Sequence, residues 1–330
     1  MKDIARRAGV SVVTVSRVLN GKYPNKVSDE TRRRVLQIVE ELGYRPNISA
    51  RALRERRTYQ IALVTPSIDV SFIAEVVQGI QDVAMDLGYS CLVYVTKSQP
   101  ALECWIFRAI AGKNVDGVIW LPGPTREKEV DRAARALPLV QILYKELDDV
   151  PAVLVDQVQG AYAATWHLLS LGHRRIGNLA GNDRHGRQRL AGYYKALEEA
   201  GIAPEEGWVR FVPTSWDGAR AEAQGLLSLP NRPTAVLCYS DVVASGVLRS
   251  ARENRIVVPD ELSVIGFDDV DFSRYLDIPL TTVAQPKHEL GELAITTLLR
   301  RIEGEAIEDR VLIPRLVVRA STISPHREAG

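Results

Sequence analysis

Two short apolar stripes of helical period stand on either side of one glycine between residues 4 and 19, and that arrangement leaves the amino-terminal segment few folds to choose from. Ile4, Ala5 and Ala8 fall at i, i+1 and i+4, one face of a helix, and Gly9 tolerates the left-handed backbone that ends it. Ser11 is placed to cap a second helix, whose inward face is Val15, Val18 and Leu19. Two short helices about a glycine turn make a helix-turn-helix. Ser28 opens a third helix with Asp29 and Glu30 in its first turn, an inner face of Val35, Ile38, Val39 and Leu42, and Gly43 at its end.

The outward face of the second helix carries Val12, Val13, Ser16, Arg17 and Asn20, linked by i, i+3 and i+4 steps. Such a face fits a major groove: an arginine can bond guanine O6 and N7 together, and a valine can pack on a thymine methyl. A solvated arginine beside half-buried valines explains the pattern about equally well, so the decision falls to charge. Residues 1–57 hold fourteen Lys and Arg against six Asp and Glu, a net +8, whereas the remainder of the chain carries −7. The overall +1 conceals a segment built to neutralise phosphates.

Three runs then make a specific resemblance: Asp3-Ile4-Ala5 through Gly9-Val10-Ser11, Thr14-Val15-Ser16-Arg17-Val18-Leu19-Asn20-Gly21, and Glu41-Leu42-Gly43-Tyr44-Arg45-Pro46-Asn47. Their wording resembles the lactose-repressor (LacI/GalR) family of bacterial transcription regulators. The resemblance implies that the second helix reads DNA through Val12, Val13, Thr14, Ser16, Arg17 and Asn20. It further implies a hinge over 47–58 that becomes helical on DNA, with Asn47, Ala50, Leu53 and Arg54 in contact and Leu53 wedged between base steps. An apolar wedge costs a few kcal/mol of unstacking, offset by the contacts of a bent duplex. Family members often carry a capping Thr or Ser before the first helix; here Met1-Lys2 leads straight in, which predicts either a weakly capped first helix or a true start upstream of Met1.

Beyond Tyr59 short apolar strands alternate with amphipathic helices. Strands are expected at 61–65, 90–95, 117–121 and 139–143, with helices near 72–87, 100–112 and 125–136. A second set follows, with strands at 176–180, 209–212, 235–238 and 262–267 and helices near 159–171, 187–200, 218–228 and 241–253. This alternation predicts two doubly wound parallel-sheet α/β lobes, which clasp a small ligand beyond the carboxyl ends of their strands. The family resemblance extends here through Val115-Asp116-Gly117-Val118-Ile119, Leu171-Gly172-His173-Arg174-Arg175-Ile176, Arg189-Leu190-Ala191-Gly192-Tyr193, Gly266-Phe267-Asp268-Asp269 and Pro279-Leu280-Thr281-Thr282-Val283. It implies a periplasmic-binding-protein-like effector domain, with interlobe crossings near 157, 285 and 314 and a homodimer joined through segments 72–87 and 97–112.

The domain organisation expected is therefore an all-α helix-turn-helix headpiece over 1–46, a hinge over 47–58, and an effector-binding and dimerisation domain over 59–330. Its first lobe spans about 59–157 and 286–314, its second about 158–285 and 315–330. The resemblance places Ser71, Phe72, Arg187, Arg189 and Asp241 in the effector site: an aromatic plate, guanidinium groups and a carboxylate, a set that grips a polar ring. Val70-Ser71 replaces the family's usual Asn-Pro, Ser240 its Asn, and Leu143 its Asp. With sugar-binding groups lost and two arginines kept, a phosphorylated or acidic sugar derivative is the expected variant of a sugar effector.

No nucleotide-binding glycine motif, zinc-protease motif or nucleophile elbow occurs, and the histidines show no metal-ligand spacing, so no enzyme activity, catalytic residue, cofactor or metal is expected. Asp268-Asp269 is a weak candidate metal pair, because adjacent carboxylates after a buried strand point apart. Cys91, Cys104 and Cys238 fit reduced thiols, and neither an 18-residue apolar run nor a secretory leader is found, which predicts a cytoplasmic protein without membrane contact. The reading is a regulator, most simply a repressor, on a near-palindromic double-stranded operator, with a small-molecule effector. Its competitors are a sugar-binding transport protein and a Rossmann-like metabolic enzyme.

Overall fold

The computed structural model describes residues 1–19, 26–44, 57–68, 71–111, 115–123, 128–213 and 216–325. The chain forms two compact units, Met1–Tyr59 and Gln60–Gly330.

In the first unit, α1 (Lys2–Ala8) ends on Gly9 at φ 64, and its cap residue Met1 offers no side-chain hydrogen bond. The Oγ of Ser11 accepts from the Thr14 amide at 3.0 Å to start α2 (Val12–Leu19), and Ser28 caps α3 (Asp29–Glu41) through the Thr31 amide at 3.3 Å. Ile4, Ala5, Ala8, Val15, Val18 and Val35 are buried together, with Leu19, Ile38 and Val39 packed against them. Leu42 departs from the expected inner face. It lies past the end of α3 and is exposed, and Tyr44 packs on the core instead.

The second unit holds two six-stranded sheets. β1 (Gln60–Thr65), β2 (Ser90–Val95), β3 (Gly117–Trp120), β4 (Leu139–Ile142), β5 (Ala152–Val155) and β11 (Arg310–Leu312) pair in the order β11-β5-β4-β3-β1-β2, all parallel. β6 (Ile176–Gly181), β7 (Val209–Val212), β8 (Ala235–Cys238), β9 (Ser263–Asp268), β10 (Thr281–Ala284) and β12 (Arg315–Val317) pair in the order β12-β10-β9-β8-β6-β7, parallel except for β12 on β10. The inner strands are almost wholly buried runs of Val, Ile, Leu and Ala, as a sheet covered on both faces requires.

Helices α4 (Ser71–Asp86), α5 (Pro100–Ala111), α6 (Lys128–Ala134) and α11 (Lys287–Ile302) belong to the first sheet, and α7 (Gln157–Ser170), α8 (Arg184–Glu199), α9 (Trp216–Leu227) and α10 (Asp241–Glu253) to the second. The chain passes between sheets after Val155, after Ala284 and after Leu312. In each sheet the strand order reverses beside the first strand, between β1 and β3 and between β6 and β8, so the carboxyl ends of those strands frame a crevice. β5, β10, β11, β12 and α11 are elements beyond those expected from the sequence. Helices α7 and α8 also begin earlier than expected, where Asp156 and Asp183 cap them through the Gln159 and Gly186 amides.

Candidate functional site

The outward face of α2 is available for contact. Val12 and Val13 are 41% and 58% exposed, while Thr14, Ser16 and Arg17 are partly exposed beside them. Asn20 and the hinge residues Asn47, Ala50, Leu53 and Arg54 lie outside the described residues.

In the second unit the polar centre is Arg189, on α8 one turn beyond the helix start. Its buried guanidinium donates through Nε to Gln157 Oε1 at 2.9 Å, through Nη1 to the Tyr239 carbonyl, and through Nη2 to Asp268 Oδ1 at 3.3 Å. It lies 3.7 Å from the centroid of the Phe267 ring and 4.8 Å from that of Tyr239. Gln157 Nε2 donates to Gln285 Oε1 at 2.8 Å, and Gln285 Nε2 donates to Asp268 Oδ1 at 2.6 Å. A closed ring results: Arg189, Gln157, Gln285, Asp268. Two of its members, Gln157 and Gln285, sit where the chain crosses between lobes. Burial pushes the Asp268 carboxyl above its usual range, while the Arg189 charge, the Gln285 hydrogen bond and the Lys287 charge act in the opposite direction.

A strained corner presents Asp268. Asp268 and Asp269 both take left-handed backbone, at φ 103 and 49, a conformation that costs a non-glycine residue on the order of 1 kcal/mol or more and persists only where neighbours enforce it. Arg319 supplies much of that enforcement: its guanidinium donates to Asp269 Oδ1 at 2.6 Å, the Leu280 carbonyl at 2.8 Å and Ser273 Oγ at 3.2 Å. Lys287 Nζ donates to the Asp269 carbonyl at 2.8 Å and pairs with Glu75 on α4 at 2.5 Å, tying the corner to the first lobe. The adjacent carboxylates thus point apart as expected, and among the described residues no group of three or more His, Cys, Asp or Glu is placed to hold a metal.

Two of the effector residues expected from the sequence require correction. Asp241 does not face the crevice: it is fully buried, accepting from the Val270 amide at 2.8 Å and from the Thr282 hydroxyl, with Oδ1 packed over Gly266 in the middle of β9. Burial and the neighbouring Asp268 push its carboxyl up to about 8, so at neutral pH it offers a ligand no full charge. It braces the 268–270 corner from behind. Arg187 is exposed and donates to the Asn182 carbonyl at 2.9 Å; two residues from Arg189, it is rotated to the outer side of α8. Phe72 is buried in the first turn of α4, beyond the carboxyl end of β1, and makes none of the Arg189 contacts; the Ser71 side chain lies outside the described residues.

Asp268, Gln157, Gln285 and Tyr239 are the crevice residues that the sequence reading missed. A signal for Asp268 existed, since an acid directly after a buried strand stands where open sheets bind ligands. The two glutamines coincide with the expected crossings near 157 and 285, but nothing local says that they meet.

Residues 1–47 match the family described as bacterial regulatory proteins, lacI family, and residues 165–322 match a periplasmic binding protein-like domain. The chain is 38% identical over 330 residues to the ribose operon repressor of Haemophilus influenzae, covering 98% of each, and 34% identical over 329 residues to the transcriptional repressor CytR of Escherichia coli K12, covering 98% of this chain and 96% of that one. The solved structure of the lac repressor dimer bound to operator and the anti-inducer ONPF superimposes with a TM-score of 0.85 at 29% identity, covering 97% of this chain and 98% of that one. A complex of the regulator CelR with cellobiose matches at a TM-score of 0.73 and 32% identity, covering 96% and 98%.

Proposed function

The chain belongs to the lacI family of bacterial regulatory proteins, and from that premise we propose that it is an operator-binding repressor controlled by a neutral sugar held between its lobes at Arg189 and Asp268. The observation that carries the effector reading is the ring of Arg189, Gln157, Gln285 and Asp268 at the carboxyl ends of β6, β8 and β9. A guanidinium facing a carboxylate offers donors and acceptors together, the pattern that adjacent hydroxyls of a sugar satisfy. Charge argues against the phosphorylated ligand expected from the sequence, because Arg187 points away and Arg189 is matched by Asp268.

The same ring suggests how the signal leaves the site. A ligand that takes hydrogen bonds from Gln157 or Gln285 acts directly on two interlobe crossings, and a difference of 1–3 kcal/mol between lobe arrangements is a coupling of useful size. The lac repressor neighbour is described as a dimer on operator. Here the apolar side chains Met85, Leu87, Leu92, Val93 and Trp105 are exposed on the end of α4, the loop after it, β2 and α5, the surface by which a second copy is expected to dock. Among the described residues no helix is long and apolar enough to cross a membrane, and action on DNA in the bacterial cytoplasm follows from the repressor reading.

A thermal-shift panel of neutral sugars and their phosphates tests the effector class. A neutral sugar at a hundred times its dissociation constant adds about 2.7 kcal/mol of stability. A larger response to the phosphate rejects the neutral-ligand reading, and chemical conversion of the bound sugar during incubation favours an enzyme. On DNA, Arg17→Ala relaxes choice at one base pair by roughly 1–3 kcal/mol, read from anisotropy with single-base operator variants. Equal losses on every sequence would place Arg17 on the phosphates.

A further inference from the structure

Lys287 carries a buried ammonium whose two partners stand on different lobes. It opens α11 just past the crossing after Ala284, two residues beyond Gln285 of the Arg189 ring. Its Nζ lies 2.5 Å from Glu75 Oε1 on α4 of the first lobe and donates to the Asp269 carbonyl of the second at 2.8 Å. Asp269 follows Asp268, so the carboxylate expected to meet the effector and the carbonyl held by Lys287 belong to adjacent residues of one corner. Both take left-handed backbone, and Asp241 fixes the Val270 amide beyond them. The peptide plane between Asp268 and Asp269 is rigid, so a displacement of the first carries to the second.

On the first lobe that displacement meets a stiff pair of helices. A Cβ on Gly79 of α4 would stand 2.1 Å from the His288 carbonyl oxygen, so the backbones of α4 and α11 meet there with no side chain between them. His288, next after Lys287, repeats the pairing: its Nε2 lies 2.9 Å from Asp82 Oδ2, about two turns along α4 from Glu75. From Glu75 to Met85 is about 15 Å of helix, and Met85 belongs to the exposed apolar surface expected to receive a second copy. A buried charge stripped of its partner is costly, which is what keeps the Lys287 ammonium on Glu75.

We propose that Lys287 is a positioning residue that passes the state of the effector corner to α4: Glu75 holds its ammonium, the ammonium holds the Asp269 carbonyl, and a shift of that corner moves α4 and α11 together. The proposal rests on the effector reading above, in which the ligand engages Asp268. Its test uses the full chain and the variants Glu75→Ala, Glu75→Gln and Lys287→Met, with a cooperative melt showing that each folds. The first measurement, amide hydrogen exchange, needs no ligand. Glu75→Ala and Lys287→Met, both in the first lobe, speed exchange across 268–275 in the second lobe several-fold, and Glu75→Gln, which keeps an acceptor for the ammonium, does so less. Exchange at the wild-type rate overturns the latch, because weakening of α4 alone leaves 268–275 untouched.

The second measurement is the ratio of operator dissociation constants with and without saturating D-ribose, read from anisotropy. The wild-type ratio departs from unity by about 5- to 150-fold, the ordinary size of a coupling. In Glu75→Ala the ratio falls close to unity while calorimetry finds the ribose affinity of the wild type. A wild-type ratio in Glu75→Ala overturns the transmission role, and so does lost ribose binding, which would place Glu75 in the ligand site. If D-ribose does not bind the wild type, the sugar reading fails and transmission is decided from the DNA side. Coupling is reciprocal, so a duplex selected from random sequence by the wild type changes exchange across 268–275 in the wild type and not in Glu75→Ala. An equal change in both overturns the role.

Discussion

Arg189 engages all three of its nitrogens, with three of its five N–H groups donating to protein acceptors and two aromatic rings close by, which is why its neighbours read as one unit rather than as pairs. Truncation in Arg189→Ala leaves Asp268 without its paired guanidinium and Gln157 Oε1 without its donor, and losing one partner of a buried pair costs about 3 kcal/mol. The expected outcome is a melting temperature lowered by several degrees together with loss of the sugar response. Arg189→Lys restores the charge but not the three-way geometry and recovers neither fully. His185 supplies a pH test. Its unfolded imidazole titrates near 6.5 while burial and the Arg189 charge hold the native one down to about 3, so below pH 6.5 the unfolded chain takes up a proton that the native state refuses. Stability tied to this residue is present above 6.5 and falls as pH drops, by about 2 kcal/mol at pH 5. His185→Phe keeps a ring stacked on Tyr144 and removes the titration, so its melting temperature falls less than that of wild type between pH 7 and pH 5; parallel curves reject the assignment.

At the scale of elements, helix contacts in the first lobe depend on glycine where no sequence periodicity shows it. A Cβ on Gly291 of α11 would stand 2.2 Å from the Val76 carbonyl oxygen of α4, and one on Gly79 of α4 would stand 2.1 Å from that of His288. Gly291→Ala therefore forces α4 and α11 apart at a cost of roughly 1–3 kcal/mol, measured as a lowered denaturation midpoint. An unchanged midpoint means that the helices slide freely. The inner strands β1, β3, β4, β6, β8 and β9 are legible because a strand buried on both faces is a continuous apolar run. β11 and β12 are three residues each and half exposed, and their places are set by partners far away in sequence. α11 is different: Leu290, Ala294 and Leu298 form a stripe that suffices to announce a helix, although the expected succession of strands and helices stopped short of it.

The molecule as a whole separates a +8 segment from an acidic remainder, and its DNA affinity inherits that asymmetry. If the headpieces of a dimer neutralise about 6–10 phosphates, operator affinity falls by a factor of about 10³–10⁵ between 50 and 200 mM salt. A slope near zero in an anisotropy titration rejects a phosphate-dominated interface. Local sequence determined the helix-turn-helix, since capping serines, a left-handed glycine and stripes of period 3.6 act within a turn or two of chain. It determined the doubly wound character of the remainder in the same way. Only the tertiary structure decided which polar groups face the crevice. Arg187 and Arg189 differ by two positions and end on different sides of α8, and Asp241 turns inward to brace the corner from which Asp268 projects. Gln157 and Gln285, 128 residues apart, meet only because the chain crosses between lobes at both places. Hydrogen-bond geometry is fixed by where backbones lie in space, and residue order alone does not encode it locally.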